Sequence, residues 1–340
     1  MSKTILLATE KPFTKETVDD IKNIVEKSGN NFKLLENYKE KQQLIDSVKN
    51  IDALIVRSDK ITKEIIDSSN NLKIIVRAGA GFDNIDIDYA KEKGIVVMNT
   101  PGQNSNAVAE LVFGLLVYAV RNFYNGKTGT ELKGKKLGLL AFGQVGRNVA
   151  RIAKGFDMDI YSYDAFVPKN VLEEAGIHAV DKPEELFENC DIVSLHIPAL
   201  KETINSINYE LCSKMKKGAV LINTARKEII NEMDLIKLME ERNDLKYVTD
   251  LMPDNHEIFN NKFKGRYYST PKKMGAQTEE ANINSGKAAA NQIVDFFKTG
   301  NTKFQVNKYR VNTRVISLFN LIYIIKEFNK LCSGINIIKK

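Results

Sequence analysis

The stretch GLLAFGQVGRNVARIAKGFDMDIYSYD, residues 138–164, decides the fold. It opens as an apolar run suited to a buried strand and breaks at a turn of small residues. It continues as RNVARIAKGF with helical spacing and closes in a second strand, DIYSYD. A strand feeding a glycine-bearing turn that opens a helix is the front half of a βαβ dinucleotide fold. The fingerprint positions are Ala141, Gly143 and Gly146, with Gln144 and Val145 on the same turn. Gly143 lets backbone approach a pyrophosphate and Gly146 lets helix pack on strand, whereas Ala141 stands where the tight turn usually has glycine. Asp164, 18 residues beyond Gly146, is placed to accept hydrogen bonds from an adenosine ribose. A 2′-phosphate would meet like charge there, and no Arg or Lys follows before Lys169, so NAD is expected over NADP.

Outward from this unit the pattern repeats. CDIVSLH, AVLINT and LKYVTD continue the downstream series, while TILLAT (4–9), DALIV (52–56), KIIVR (73–77) and GIVVMN (94–99) form an upstream one. Such Ile/Val/Leu runs suit parallel strands buried on both faces. Between them Lys15 to Lys27 places Val18, Ile21 and Ile24 three apart on one helical face. NAVAELVFGLLVYAV (106–120) carries Glu110 as its one charge; its fifteen residues fall short of the roughly twenty a membrane span needs, so it reads as a buried helix. At 340 residues the chain exceeds one ordinary core. The expected class is α/β, with two doubly wound parallel-sheet domains.

Fifty Lys and Arg against 43 Asp and Glu leave a net charge of +7, an excess suited to anionic substrates. The lysines are scattered among acids with no basic block interleaved with aromatics, which argues against nucleic acid. Cys190, Cys212 and Cys332 have no metal-ligand spacing, and MSKTILLATE has too short an apolar run for a signal peptide. A reduced, cytoplasmic protein without a metal site is expected.

RAGAGFDNID (77–86), the glycine fingerprint, DIVSLHIP (191–198) and INTAR (222–226), in that order, resemble the D-isomer-specific 2-hydroxyacid dehydrogenases, over about residues 3–308. Within that family, RNVARIAKGFDMDIYSYDAF and TPKKMGAQTEEAN look most like short phosphoglycerate dehydrogenases lacking a regulatory domain. The resemblance implies a flavodoxin-like substrate domain from residues 1–103 plus 285–308 and a Rossmann NAD-binding domain from 104–284. It also implies a closing cleft between them and a homodimer formed through the cofactor domain. Residues 309–340 form an apolar tail without a counterpart, open to readings as a docked helix, a membrane-surface contact or a translation artefact. The implied activity is NAD-dependent oxidation of D-3-phosphoglycerate to 3-phosphohydroxypyruvate, the first step of phosphorylated serine biosynthesis. The alternatives are a glyoxylate or hydroxypyruvate reductase or another D-2-hydroxyacid dehydrogenase, and a non-catalytic NAD(H) sensor of the corepressor kind.

Oxidising a hydroxyl beside a carboxylate needs an anion site, a cation at the reacting oxygen and a group to take the proton. The small residues Ala78, Gly79, Ala80 and Gly81 follow a buried strand and free backbone amides for a carboxylate. Arg226 ends AVLINTAR and matches the family's arginine for carboxylate and keto oxygen. Arg57 and Ser58 match the pair near the substrate's distal end. By the same resemblance His196, Pro198, Thr203, Thr224 and Ala225 line the cofactor site, and Asp250 holds the nicotinamide carboxamide. Most relatives carry a catalytic histidine where TPKKMGA has Lys273, so Lys273 is expected to be the acid/base, with Lys272 the fallback. A lysine can serve only if burial and Arg226 lower its pKa. The partner carboxylate is open between Asp254, the preferred choice, Glu257 and none. His256, among Pro, Asp and Asn, is expected to be a solvent-facing loop residue.

Overall fold

The strand ALIV, Ala53–Val56, is buried at all four positions, and so is VLIN, Val220–Asn223. Strands with no polar face need helices on both sides, which is the doubly wound solution. In a computed structural model, which describes residues 2–308, these strands lie near the centres of two all-parallel sheets. The tail expected at 309–340, with Cys332, lies outside the described residues.

The first sheet comprises β1 (Thr4–Thr9), β2 (Asn31–Glu36), β3 (Ala53–Val56), β4 (Ile74–Arg77) and β5 (Val96–Asn99), in the order β2-β1-β3-β4-β5. This is the flavodoxin-like order. The second comprises β6 (Lys136–Leu140), β7 (Asp159–Tyr163), β8 (His178–Ala179), β9 (Ile192–Leu195), β10 (Val220–Asn223), β11 (Lys246–Thr249) and β12 (Tyr267–Ser269). Its order, β12-β11-β10-β9-β6-β7-β8, is the dinucleotide-fold order with one strand added. The strand order reverses between β6 and β9, so the crevice outside their carboxyl ends is the expected ligand position.

Two helices tie the halves together. Ser105–Val120 follows β5 and buries Ala109, Val112, Phe113, Leu116 and Ala119 in the core of the second sheet, so the apolar run at 106–120 is a core helix. Glu279–Thr299 returns to the first sheet, where Ala289, Ala290 and Ile293 join the core of β1, β3 and β4. It begins at Glu279, six residues before the expected boundary. It lies close against the helix Lys15–Lys27: a Cβ on Gly286 would come 2.9 Å from Ile21 Cδ1 and 3.1 Å from Thr17 Cγ2. No helix among the described residues is long and apolar enough to cross a membrane.

Candidate active site

The turn after β6 is built as a dinucleotide cradle. Ala141 takes a left-handed φ of 86° in the tight turn, a conformation that costs an alanine about 1 kcal/mol or more relative to glycine. A Cβ on Gly146 would collide with the Ala141 carbonyl, so the helix Gln144–Gly155 can start this close to β6 only with glycine there. A Cβ on Gly143 would meet nothing within 4 Å, the open approach a pyrophosphate needs. Gly143 caps the helix without a side-chain bond, leaving the first-turn amides of Gln144, Val145 and Gly146 unpaired and aimed outward.

Asp164 sits at the carboxyl end of β7. Its Oδ2 accepts from the Phe142 amide at 2.7 Å, and its Oδ1 accepts from the Phe166 and Val167 amides at 2.8 and 2.9 Å. It thereby locks the glycine turn to the next loop and faces a cavity of about 760 Å³. Ala141, Gly143, His196, Pro198 and Thr203 line the same cavity. Burial pushes His196 down to about 4, so its ring is neutral at ordinary pH, with Nε2 2.9 Å from Ser194 Oγ. Thr203 Oγ1 donates to the Pro198 carbonyl at 2.6 Å and accepts from the Leu200 amide at 2.7 Å, which shapes the cavity wall. Thr224, at the end of β10, buries an Oγ1 without a hydrogen-bond partner. The open cradle, free amides, ribose-facing carboxylate and orphaned hydroxyl fit a dinucleotide.

Across the cleft β4 ends in Arg77 and enters the small-residue loop. The Ala78 amide is spent on Val56 O and the Gly79 amide on Arg77 O, so of the four expected residues only Ala80 and Gly81 keep free amides. Gly79 has a φ of 154°, which L side chains rarely adopt, and a Cβ there would also displace the Arg77 guanidinium. Arg226 reaches this loop from the cofactor sheet: its Nη2 would lie 2.9 Å from a Cβ on Gly81 and lies 3.6 Å from Asp83 Oδ2. Its Nη1 donates to the Ala225 carbonyl at 2.8 Å, and the Ala225 amide is held by Asn223 Oδ1 at 3.0 Å. Arg57 donates to the carbonyls of Lys11 and Pro12 and, at 2.7 Å, to Asn282 Oδ1, with Phe13 against its face; Ser58 is exposed beside it. Arg77 donates from Nε to the Arg57 carbonyl at 2.9 Å and feels the charges of both Arg226 and Arg57. Sequence reasoning did not assign Arg77 to the site; the signal was its place at a strand's carboxyl end, directly before the anion loop.

Lys273 lies open to the cleft, yet the surrounding protein desolvates its ammonium. Its pKa is lowered by that burial first, then by Arg226 and Arg77, against opposite contributions from Asp250 and Asp83. This is the direction an acid/base lysine requires. Lys272, the fallback, is exposed; its carbonyl lies 2.8 Å from Thr270 Oγ1, where it shares that hydroxyl's one proton with Asp250 Oδ1. Asp250 is fully buried, and its carboxylate is bonded to the loop that carries Lys273.

The expectation that Asp254 partners Lys273 is corrected by the structure. Its exposed carboxylate is ion-paired with Lys227 beside a separate pocket that Glu232 and Asn255 also line. Glu232 holds the Asp254 and Asn255 amides at 2.9 and 2.8 Å, fixing the segment there. The acids that act on Lys273 are Asp250 and Asp83. Glu257 is exposed in the first turn of the helix His256–Lys262. His256 is not a loop residue either, since it opens that helix and bonds Tyr267 Oη through Nδ1 at 2.9 Å. Cys190 and Cys212 are buried free thiols, and no cluster suited to a metal occurs among the described residues.

Comparison with known proteins agrees with this geometry. Residues 117–270 match the family model described as D-isomer specific 2-hydroxyacid dehydrogenase, NAD binding domain. The D-3-phosphoglycerate dehydrogenase of Methanocaldococcus jannaschii is 37% identical over 268 residues, covering 74% of this chain and 51% of that protein. The hydroxypyruvate reductase of Thermotoga maritima is 42% identical over 207 residues, covering 57% of this chain and 66% of that protein. The chain spans about half the length of the curated phosphoglycerate dehydrogenases it matches. Among solved structures, the NAD+-bound 3-phosphoglycerate dehydrogenase of Entamoeba histolytica is 50% identical, with a TM-score of 0.83, covering 91% of this chain and 100% of that one. Fold, cofactor cradle and sequence together assign the chain to the D-isomer specific 2-hydroxyacid dehydrogenase family, whose NAD-binding domain it carries.

Proposed function

We propose that this chain oxidises D-3-phosphoglycerate to 3-phosphohydroxypyruvate with NAD, and catalyses the reverse reduction. The observation that carries this reading is that Arg226 reaches Gly81, beside the free amides of Ala80 and Gly81, and that Arg226 and Arg77 both act on Lys273, with Arg57 acting on Arg77 from behind. Such a cluster suits a small acid charged at both ends. In the branch of the family chosen, support comes from the 50% identical Entamoeba structure and from curated relatives that carry the phosphoglycerate dehydrogenase name.

In this mechanism the substrate carboxylate bridges the amides of Ala80 and Gly81 and the Arg226 fork, whose second edge polarises the reacting oxygen. Bound NAD supplies the hydride acceptor. Lys273 in its neutral form takes the hydroxyl proton during oxidation and, protonated, returns it to the carbonyl oxygen during reduction. Arg57 and Arg77 stand on the substrate-domain side for the phosphate, and Thr224, Ala225 and Asp250 border the nicotinamide end. Asp164 selects the free ribose hydroxyls of NAD. A homodimer formed through the cofactor domain, a cytoplasmic location and a place in serine synthesis belong to the same reading.

A reductase acting on hydroxypyruvate is the second reading, favoured by the 42% identity to the Thermotoga enzyme. The deciding experiment follows NADH consumption by purified protein with 3-phosphohydroxypyruvate, hydroxypyruvate, glyoxylate and 2-oxoglutarate, then repeats it with NADPH. Turnover concentrated on the phosphorylated acid with NADH is the expected result. Turnover only of unphosphorylated acids moves the chain to the reductases, and NADH binding without any turnover leaves a sensor.

A further inference from the structure

Asp250 is a fully buried carboxylate with no ion pair among the described residues. Its partners are instead three neutral donors, all inside one short irregular segment. Oδ1 accepts from the Met274 amide at 2.7 Å and the Thr270 hydroxyl at 2.8 Å, and Oδ2 accepts from the Gly275 amide at 2.6 Å. The segment from 270 to 275 carries Lys273 between these contacts. β12 ends at Ser269 and the next helix starts at Glu279; after the Thr270 amide, which donates to the Thr249 carbonyl at 3.1 Å, no residue from 271 to 275 has a sheet or helix bond. The fit is tight: a Cβ on Gly275 would lie 2.9 Å from Asp250 Oδ2 and 3.3 Å from Val108 Cγ2.

We propose that Asp250 is a positioning residue for the acid/base. It clamps the 270–275 loop so that the Lys273 ammonium faces Arg226 across the site, and it stands behind that ammonium as a fixed negative charge. This inference rests on the reading of Lys273 given above and differs from anchoring a nicotinamide amide. A carboxylate offers about four acceptor sites, and the loop fills three, so both roles fit one residue.

The physical logic is electrostatic as well as geometric. A carboxylate bonded only to neutral donors has no counter-ion to offset it, and in a desolvated site its charge acts strongly on a nearby ammonium. The charged groups that act on Lys273 are Arg226 and Arg77, which lower its pKa along with burial, and Asp250 and Asp83, which raise it. Losing the Asp250 charge therefore lowers the Lys273 pKa further. Reduction needs the protonated lysine and is lost as pH rises through that pKa, so the descending limb moves to lower pH in such a variant.

The test uses the full chain with 3-phosphohydroxypyruvate and NADH. In Asp250→Asn, kcat is expected to fall about tenfold or more, with the descending limb displaced by about half a pH unit or more. Thr270→Val keeps the charge and removes one clamp, so it lowers kcat but leaves the limb in place. A rise in NADH Kd with an unmoved limb in Asp250→Asn makes Asp250 a cofactor anchor only and overturns the proposal. If Asp250→Asn does not fold, wild-type kcat in Thr270→Val overturns it alone. Undiminished turnover in Lys273→Ala instead removes the acid/base reading on which it stands.

Discussion

On the proposed reading, the molecule handles anions in two places built on opposite plans. The cofactor cradle comes from one continuous stretch, Leu140 to Gly146 with Asp164 one strand later, and works through backbone amides and missing side chains. The proposed substrate cleft is assembled from Arg57, Arg77, Gly81, Arg226 and Lys273, drawn from both sheets, and relies on charged side chains. A motif contained in one turn is readable from spacing alone. A site made by apposing two sheets is readable only at the points where a strand end happens to announce it.

The comparison breaks most visibly at Arg226. Arg226→Gln removes the fork that bridges the two sheets and should lower kcat/KM about 100-fold to 1000-fold, with NADH affinity within about twofold of wild type, because the cradle does not use it. Steady-state kinetics with fluorescence titration of NADH checks both halves. The converse variant is Gly146→Ala. Its added methyl meets the Ala141 carbonyl and pushes the helix off the strand, so NADH binding should weaken about tenfold or more before the substrate arginines are touched. If instead the loss fell on the substrate KM alone, the two regions would not be separable as described.

Smaller effects sharpen it. Ala141 holds a left-handed φ, so Ala141→Gly should stabilise the protein by about 1 kcal/mol, seen as a higher thermal midpoint, with NADH affinity retained. Asp254→Asn should change kcat and its pH dependence by about twofold or less, because its exposed carboxylate is paired with Lys227 and does not act on Lys273. A large loss of activity in that variant would restore the carboxylate partner expected from sequence.

Most strands were legible because each is a short apolar run. The exceptions share a cause. β2, NFKLLE, lies at a sheet edge with half-exposed side chains and lacks a buried run; β8 is two residues long; β12 is three. In the site, Gly143, Gly146 and Asp164 stand where their spacing requires, since strand, turn and helix leave one geometry. Asp254 failed for a different reason. Its distance in sequence from Asp250 is short, but the backbone turns away there under the hold of Glu232, and no spacing rule sees that turn. The acids that reach Lys273 were missed because Asp83 comes from the other domain and Asp250 had been assigned to the cofactor. The four-residue anion loop was narrowed to Ala80 and Gly81 by ordinary backbone bonding, which only coordinates reveal.

The central claim is that a lysine, lowered by burial and by Arg226, performs the proton transfer in this chain. The measurement that meets it most directly is Lys273→Ala, assayed for 3-phosphohydroxypyruvate reduction at saturating NADH and, separately, for NADH binding. The account predicts turnover reduced about 1000-fold, consistent with loss of a general acid, with NADH Kd within about twofold of wild type. Turnover near that of the wild type, with NADH bound as before, would contradict it.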